Sequence, residues 1–424
     1  MAIYPALSPE KLPDPCKRWL VLRLVRLEEA VGSAGRDDCW GLQIDQAACR
    51  VRRAVCSIQI HRDRKANMRT VFSLRPTTYR LRSKLLARPN RGSQSVERLE
   101  IAPGSRVRTA AAVFLPGEAD RIVAAIDSSD LASERCSVGE VDVENHATIA
   151  YRYEDGLIAD GCWYAADEYD VMRAQHRRPL ILGSAPHFDE AQLCTDLTSE
   201  RFFGHWFCDG LSMELLAADR AITPMALTGT NRFHEDGYRR LVALQCEKVD
   251  VATVGTLWVV DDRGYNSHRV QRLRRLRSTL RSNVKGQGNR LVFVDRGNTG
   301  AARTLVNRDR LLDRLTHEGF VVIQPEAMQA ADIASALVDA KLVVGVEGSQ
   351  LKHSMLTLAD GAGIMAIQPP DRFNVWNKHV AQCLGLNFGF VVGDPCDGGF
   401  VADIDRTMRT IELMVRAPRV QLDC

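Results

Sequence analysis

From about residue 100 onward, short apolar runs bounded by turn residues alternate with stretches whose apolar positions recur every three to four residues. The runs Ala110–Leu115, Pro179–Leu182, Leu257–Val260, Leu291–Val294, Phe320–Ile323, Leu342–Val346 and Gly363–Ile367 predict buried strands. Between the later ones, Arg269–Ser282, Arg308–Glu318 and Ala330–Ala340 carry the helical period. Strand and helix in alternation build βαβ units around a parallel sheet. Residues 255–395 are the clearest case and predict a Rossmann-like domain of five strand–helix repeats. Ile404–Val415 predicts one further helix in a tail, residues 396–424. Residues 100–254 predict a second α/β domain.

The first 99 residues read differently, as an extension. Lys17–Ala30 places Leu20, Leu24 and Leu27 on one helical face with Arg18, Arg23 and Arg26 off it. Such a basic amphipathic helix either packs on its own domain or lies on a membrane surface. A second basic stretch, Tyr79–Arg91, ends in a Pro-Asn-Arg-Gly breaker. Charge sharpens the contrast. Residues 1–100 hold 20 Lys/Arg against 10 Asp/Glu, a net of +10, whereas the rest hold 36 against 43, a net of −7. A basic end of this kind suits an anionic membrane surface as a peripheral contact. No nucleic-acid partner is expected.

The 424 residues, 45% hydrophobic, supply enough apolar material for two cores. No apolar run reaches the ~18 residues of a membrane span, and the N-terminus lacks a signal-peptide pattern. The 12 cysteines make no CxxC pair and no zinc spacing, the usage of a reduced, cytoplasmic protein. The expected location is therefore cytoplasmic, with a peripheral inner-membrane contact through the basic end.

Three segments carry candidate chemistry. In Leu342–His353 a buried strand meets a Gly turn (Glu347, Gly348, Ser349, Gln350) and then a predicted helix that includes His353. Unpaired N–H groups at a helix start favour an anion such as a diphosphate. Gly348 admits close approach, and Ser349 caps the helix or donates to phosphate. In the second segment, Arg296 follows the strand Leu291–Val294, and Arg303 lies in the loop before a helix that Asn307 is placed to cap. Ligands bind at such strand ends in open α/β sheets, and arginines suit a diphosphate leaving group. In the third, His205 and Asp209 stand four apart at the start of an apolar helix, hence on one face. Together they can deprotonate a hydroxyl, the carboxylate orienting the imidazole or acting itself as base.

Read together, these segments resemble glycosyltransferase family 61. FGHWFCDGLSMEL is similar to that family's His-Trp helix start, and VFVDRGNTGAARTLVNRDRL to its strand–Arg–loop–Arg–xxx–Asn segment. VVGVEGSQLKHSML is similar to its Gly-rich turn in the form of bacterial members. AAVFLPGEADRI and DDRGYNSHRVQRLRRLR also fit, the latter with Asn266 and Arg269 in matching places. Glu347 stands where many relatives carry His, so the donor sugar stays open.

The resemblance implies an α/β, GT-B-like fold: two facing Rossmann-like domains, residues 100–254 for the acceptor and 255–395 for the nucleotide-sugar, with the N-terminal extension before them. It implies an inverting hexosyl or pentosyl transfer from a nucleotide-sugar, UDP-linked in expectation, to a glycan or glycolipid hydroxyl. His205 and Asp209 would be catalytic. Asn266, Arg296, Arg303, Asn307, Glu347, Gly348, Ser349, Gln350 and His353 would bind the donor. No cofactor and no metal is expected: Asp403-Ile404-Asp405 spells a metal–diphosphate motif but precedes a helix that Asp403 can cap. Two other classes remain, a non-catalytic carbohydrate-binding or assembly protein and an NAD-type oxidoreductase. The second lacks its glycine fingerprint, since KGQGNR at 285–290 has no third Gly and precedes a strand.

Overall fold

The structure, a computed structural model, describes residues 68–79, 91–126, 129–173, 178, 180–228, 233–288, 290–297 and 302–420. The basic helix expected at Lys17–Ala30 and most of the stretch 79–91 lie outside these residues. Met68–Cys424 forms one compact unit. It is α/β, as expected, and holds two main sheets.

The second sheet is the parallel one. Its five strands run in the order Phe320–Ile323, Leu291–Val294, Leu342–Val346, Gly363–Gln368, Asn387–Val392, all parallel. The last three strands are buried at every residue, because helices cover both faces. The period of two sorts their side chains. Val292 and Val294 join Leu273, Leu276, Ile333 and Leu337 on one face, while Phe293 joins Leu311, Leu315, Ile411 and Met414 on the other. Helices Ser267–Ser282, Arg308–His317, Ala330–Leu337 and Ile404–Arg416 fall where the helical period put them.

The first sheet has nine strands and is mixed rather than the parallel Rossmann sheet expected. Ile181–Leu193 pairs in parallel with Thr223–Leu227 and Ala252–Asp261, but Thr148–Ala159 runs antiparallel to Ala252–Asp261. Two expectations change here. Leu257–Val260, expected to open the C-terminal sheet, lies inside Ala252–Asp261, so the boundary at 254/255 cuts a strand of the first sheet. The supposed extension also contributes to it. Met68–Ser73 pairs with Ile181–Leu193, and Glu97–Ala102 pairs with Thr148–Ala159.

Ala110–Leu115 forms a single bridge rather than a strand, and it does so against the parallel sheet. Val113 N donates to Phe388 O (2.9 Å) and Phe390 N to Val113 O (3.1 Å), while Ala112 N turns away to Val138 O. Buried Glu118 and Glu134 fasten this region: they accept from Val392 N (2.7 Å) and Val375 N (2.9 Å).

The segment Phe203–Asp219 ties the two sheets together. Trp206, Phe207, Cys208 and Leu211 enter the core beneath the parallel sheet. Leu216, one and a half turns on, packs with Ala150, Trp258 and Val260 of the mixed sheet. The His205–Asp209 stretch is thereby held at the junction.

Candidate active site

In the parallel sheet the second strand in sequence lies outside the first, so chain direction across the sheet reverses between Leu291–Val294 and Leu342–Val346. Open α/β sheets bind ligands in the crevice that such a reversal leaves at the carboxyl ends of the strands. The residues at those ends are Asp295-Arg296 and Glu347-Gly348. Asp295 is buried and spent on Arg308 (3.0 Å) and Gln324 (3.2 Å). Arg296 reaches across the crevice, its Nη1 donating to Gln350 Oε1 (3.0 Å) and Glu347 O (3.3 Å). Arg303 Nε lies 2.8 Å from Glu347 Oε2, an ion pair in which both side chains are under a tenth exposed. Five of the expected donor residues, Arg296, Arg303, Glu347, Gly348 and Gln350, thus meet at one point.

Burial pushes the Arg296 pKa down, and the charges of Arg303 and Arg372 push it further, against Glu347 and Glu326. Arg303 is lowered by burial and by Arg372 in the same way. A guanidinium stays protonated regardless. The shifts therefore report mainly burial of the two guanidinium groups, with mutual repulsion among the arginines adding to it. Arg372 was not singled out from the sequence: it follows the strand Gly363–Gln368 in a loop with no periodic signal.

Gly348 has φ +153°, and an added Cβ would run into the Arg296 guanidinium and the Gln350 amide. The segment after it departs from expectation. Instead of an α-helix there is a six-residue 3-10 run, Ser349–Ser354, and Ser349 makes no side-chain cap. So short a run offers little dipole, which leaves the arginines as the main positive groups.

The run packs against the other half of the site. Lys352 crosses Gly204 so closely that a Cβ there would lie 2.6 Å from Lys352 Cγ. Next to Gly204, His205 Nδ1 is 2.8 Å from Asp209 Oδ2, the pairing the spacing predicts. Trp206–Gly210 winds as a π-helical turn, with Leu211 N donating to Trp206 O, a widening common at functional sites. Asp209 Oδ1 accepts from Tyr265 OH (3.3 Å) and from Arg269, itself fully buried. Burial alone would raise the Asp209 pKa. The Arg269 charge and the His205 hydrogen bond outweigh it and hold the carboxyl below its usual range. No hydrogen bond to His205 Nε2 occurs among the described residues, so an Nδ1–H given to Asp209 leaves Nε2 its lone pair. Lys352 and Arg269, absent from the expected site residues, both act on Asp209.

Three expected donor residues lie elsewhere. His353 points into the interior, with Tyr238 OH 2.6 Å from Nδ1 and the Phe203 ring at 4.4 Å. Burial pushes its pKa well below the usual histidine range, so it is neutral. Asn266, fully buried, caps Ser267–Ser282 by accepting from Arg269 N (3.1 Å) and donates to His146 O (3.0 Å) and Thr148 Oγ1 (2.9 Å). Asn307 does not cap its helix with its side chain. It bonds instead to the backbone of Ala402 in both directions, at 2.7 and 2.9 Å. Asp403 caps Ile404–Arg416 by accepting from Arg406 N (2.9 Å).

A cavity of about 460 Å³ opens over the carboxyl ends of Ile181–Leu193 and Ala252–Asp261, with Asp209 and Gly210 on one wall. Its acidic groups are already committed: Asp196 caps Leu197–Arg201, Asp170 pairs with Arg91, and Asp262 pairs with Arg272.

The parallel-sheet reversal thus carries an arginine-lined crevice that abuts a His–Asp pair. Residues 203–365 match the model of the family Glycosyltransferase 61, which supports membership of that family and suggests glycosyltransferase activity. The matched segment contains His205, Asp209, Arg296, Arg303 and the Gly348 turn. No curated protein matches the chain. Among solved structures, a mutant flavo di-iron protein from Thermotoga maritima is similar at 11% identity and a TM-score of 0.23. The likeness covers 43% of this chain and 46% of that one, so the chain spans less than half of that protein. At that score it carries no argument about fold or chemistry.

Proposed function

We propose that the chain is an inverting glycosyltransferase that takes a sugar from a nucleotide donor, UDP-linked, to a hydroxyl of a glycan or glycolipid without a metal ion. The observation that carries this reading is the convergence of Arg296 and Arg303 on the Glu347-Gly348 turn, one short run away from His205. The donor diphosphate would lie against the arginines, which offset its charge as the glycosidic bond breaks. His205 Nε2 would take the acceptor proton, a contribution of ~10²–10⁴-fold. Asp209, paired and held ionised, would orient the ring and stabilise the imidazolium. In this reading the mixed and parallel sheets serve as the acceptor and donor halves of a GT-B-like enzyme. The basic excess of residues 1–100 would hold it at the inner face of an anionic membrane.

A thermal-shift panel of nucleotides and nucleotide-sugars, with and without EDTA, tests the donor assignment. A ligand at ~100 times its Kd should add roughly 2.7 kcal/mol of apparent stability. UDP compounds should produce the shift in both buffers, and Arg296→Ala should lose most of it while its unliganded melting temperature is kept. A panel with no shift rejects the donor site, and a shift that vanishes in EDTA rejects metal independence.

A further inference from the structure

The loop that supplies Arg372 to the arginine cluster leads into the helix Trp376–Cys383, whose first residue, Trp376, is 47% exposed. Phe202, just before the Phe203–His205 turn, is 40% exposed. Single exposed apolar side chains are ordinary. These two belong to different elements, yet each ring centroid lies close to that of His205: 6.0 Å for Phe202 and 6.3 Å for Trp376. The His205 imidazole thus has two exposed aromatic side chains within ring-contact distance.

The two rings are not equivalent. The Arg201 guanidinium already sits over Phe202, 5.1 Å from its centroid. Trp376 has no such cover among the described residues. Its backbone surroundings are fixed: Val375 N donates to Glu134 Oε2 (2.9 Å), Gln368 Nε2 to Asn374 O (2.7 Å), and Lys378 N to Val375 O (2.8 Å). Phe373 and Asn374 before it are buried. A rigidly mounted indole turned to solvent loses little freedom when a ligand covers it.

We infer that Trp376 is the platform of an acceptor subsite that takes the apolar C–H face of an uncharged pyranose ring. An aromatic face is the negative side of the ring quadrupole, so it attracts the polarised C–H bonds of a pyranose face. A sugar lying on Trp376 would present an edge hydroxyl to His205, and Phe202 with Arg201 would form the far wall. This placement rests on His205 acting in glycosyl transfer, but the contact itself is measurable without turnover.

The test is saturation-transfer NMR with methyl β-glucopyranoside, methyl β-galactopyranoside and methyl β-xylopyranoside on the full chain, its Trp376→Ala and its Trp376→Phe variants. Melting temperature and UDP shift are read in parallel as controls on folding and on the donor site. At least one glycoside should receive saturation on its ring C–H protons in the wild type. Its affinity should fall at least tenfold in Trp376→Ala and recover in Trp376→Phe. Equal binding by Trp376→Ala, or no binding of any glycoside by the wild type, overturns the inference. Glycoside binding that depends on Trp376 in a protein that no nucleotide stabilises would reject the transferase reading and keep the sugar platform.

Discussion

Gly348 concentrates the demands of the arginine-lined crevice in one residue. Its φ of +153° is unfavourable for any side chain bearing a Cβ, and the Arg296 and Gln350 heads occupy the space beside it. Gly348→Val should cost about 1–3 kcal/mol of stability through backbone strain and abolish the nucleotide-dependent thermal shift by displacing Arg296. Unchanged nucleotide affinity would show that the turn faces away from the ligand. His379 behaves differently because it is a packing histidine. It faces the Tyr265 ring, Asn145 and Cys383, with Lys378 beside it. Burial, then the Lys378 charge, pushes its pKa down to about 4. The unfolded chain therefore binds this proton first, and the stability His379 contributes above pH ~6.5 is lost as pH falls toward 4. Comparing wild type with His379→Gln by denaturant unfolding across that range should show the wild type losing up to about 3 kcal/mol relative to the variant. A pH-independent difference would contradict the burial.

At the scale of elements, four strands of the parallel sheet were legible as short apolar runs, whereas the fifth, Asn387–Val392, was not among the expected strands. What such a run does not encode is its partner. Leu257–Val260 reads the same whether it joins one sheet or the other, and only pairing with Thr148–Ala159 decides. Glu97–Ala102, with four of its six residues exposed, gave no apolar run to find. The His205–Asp209 pair followed from helical spacing. The π-helical turn carrying it did not, nor did Arg372, which sits in a loop without period, or Trp376, the first residue of the helix Trp376–Cys383. Asn307 shows the converse error, a residue placed at a helix start whose side chain serves another element. Asn307→Ala should cost about 1–3 kcal/mol by stranding the backbone groups of Ala402 while leaving nucleotide affinity unchanged. A large loss of affinity in a stably folded variant would return Asn307 to the donor site.

Across the whole molecule, the arrangement depends on Phe203–Asp219 spanning both sheets. Its first turns pack with Val294, Leu351 and Tyr238 in the core of the parallel sheet, and its last turn packs on Trp258 and Val260 of the mixed sheet. His205, fixed at this junction, lies next to Gly204, which Lys352 of the Ser349–Ser354 run crosses, and within 6.3 Å of the Trp376 ring. The sequence resemblance singled out the His205–Asp209 and Arg296–Gly348 segments as candidates, whereas their contact through Gly204 and Lys352 needed the fold. The most direct measurement is nucleotide release from a panel of nucleotide-sugars, with a mixed glycan acceptor pool, by the wild type and by Arg296→Ala, His205→Ala and Asp209→Asn. The wild type should release UDP. His205→Ala and Asp209→Asn should lower kcat by ~10²-fold or more with nucleotide binding intact, and Arg296→Ala should fail by losing the donor. Wild-type turnover that survives both His205→Ala and Asp209→Asn undiminished would contradict the account.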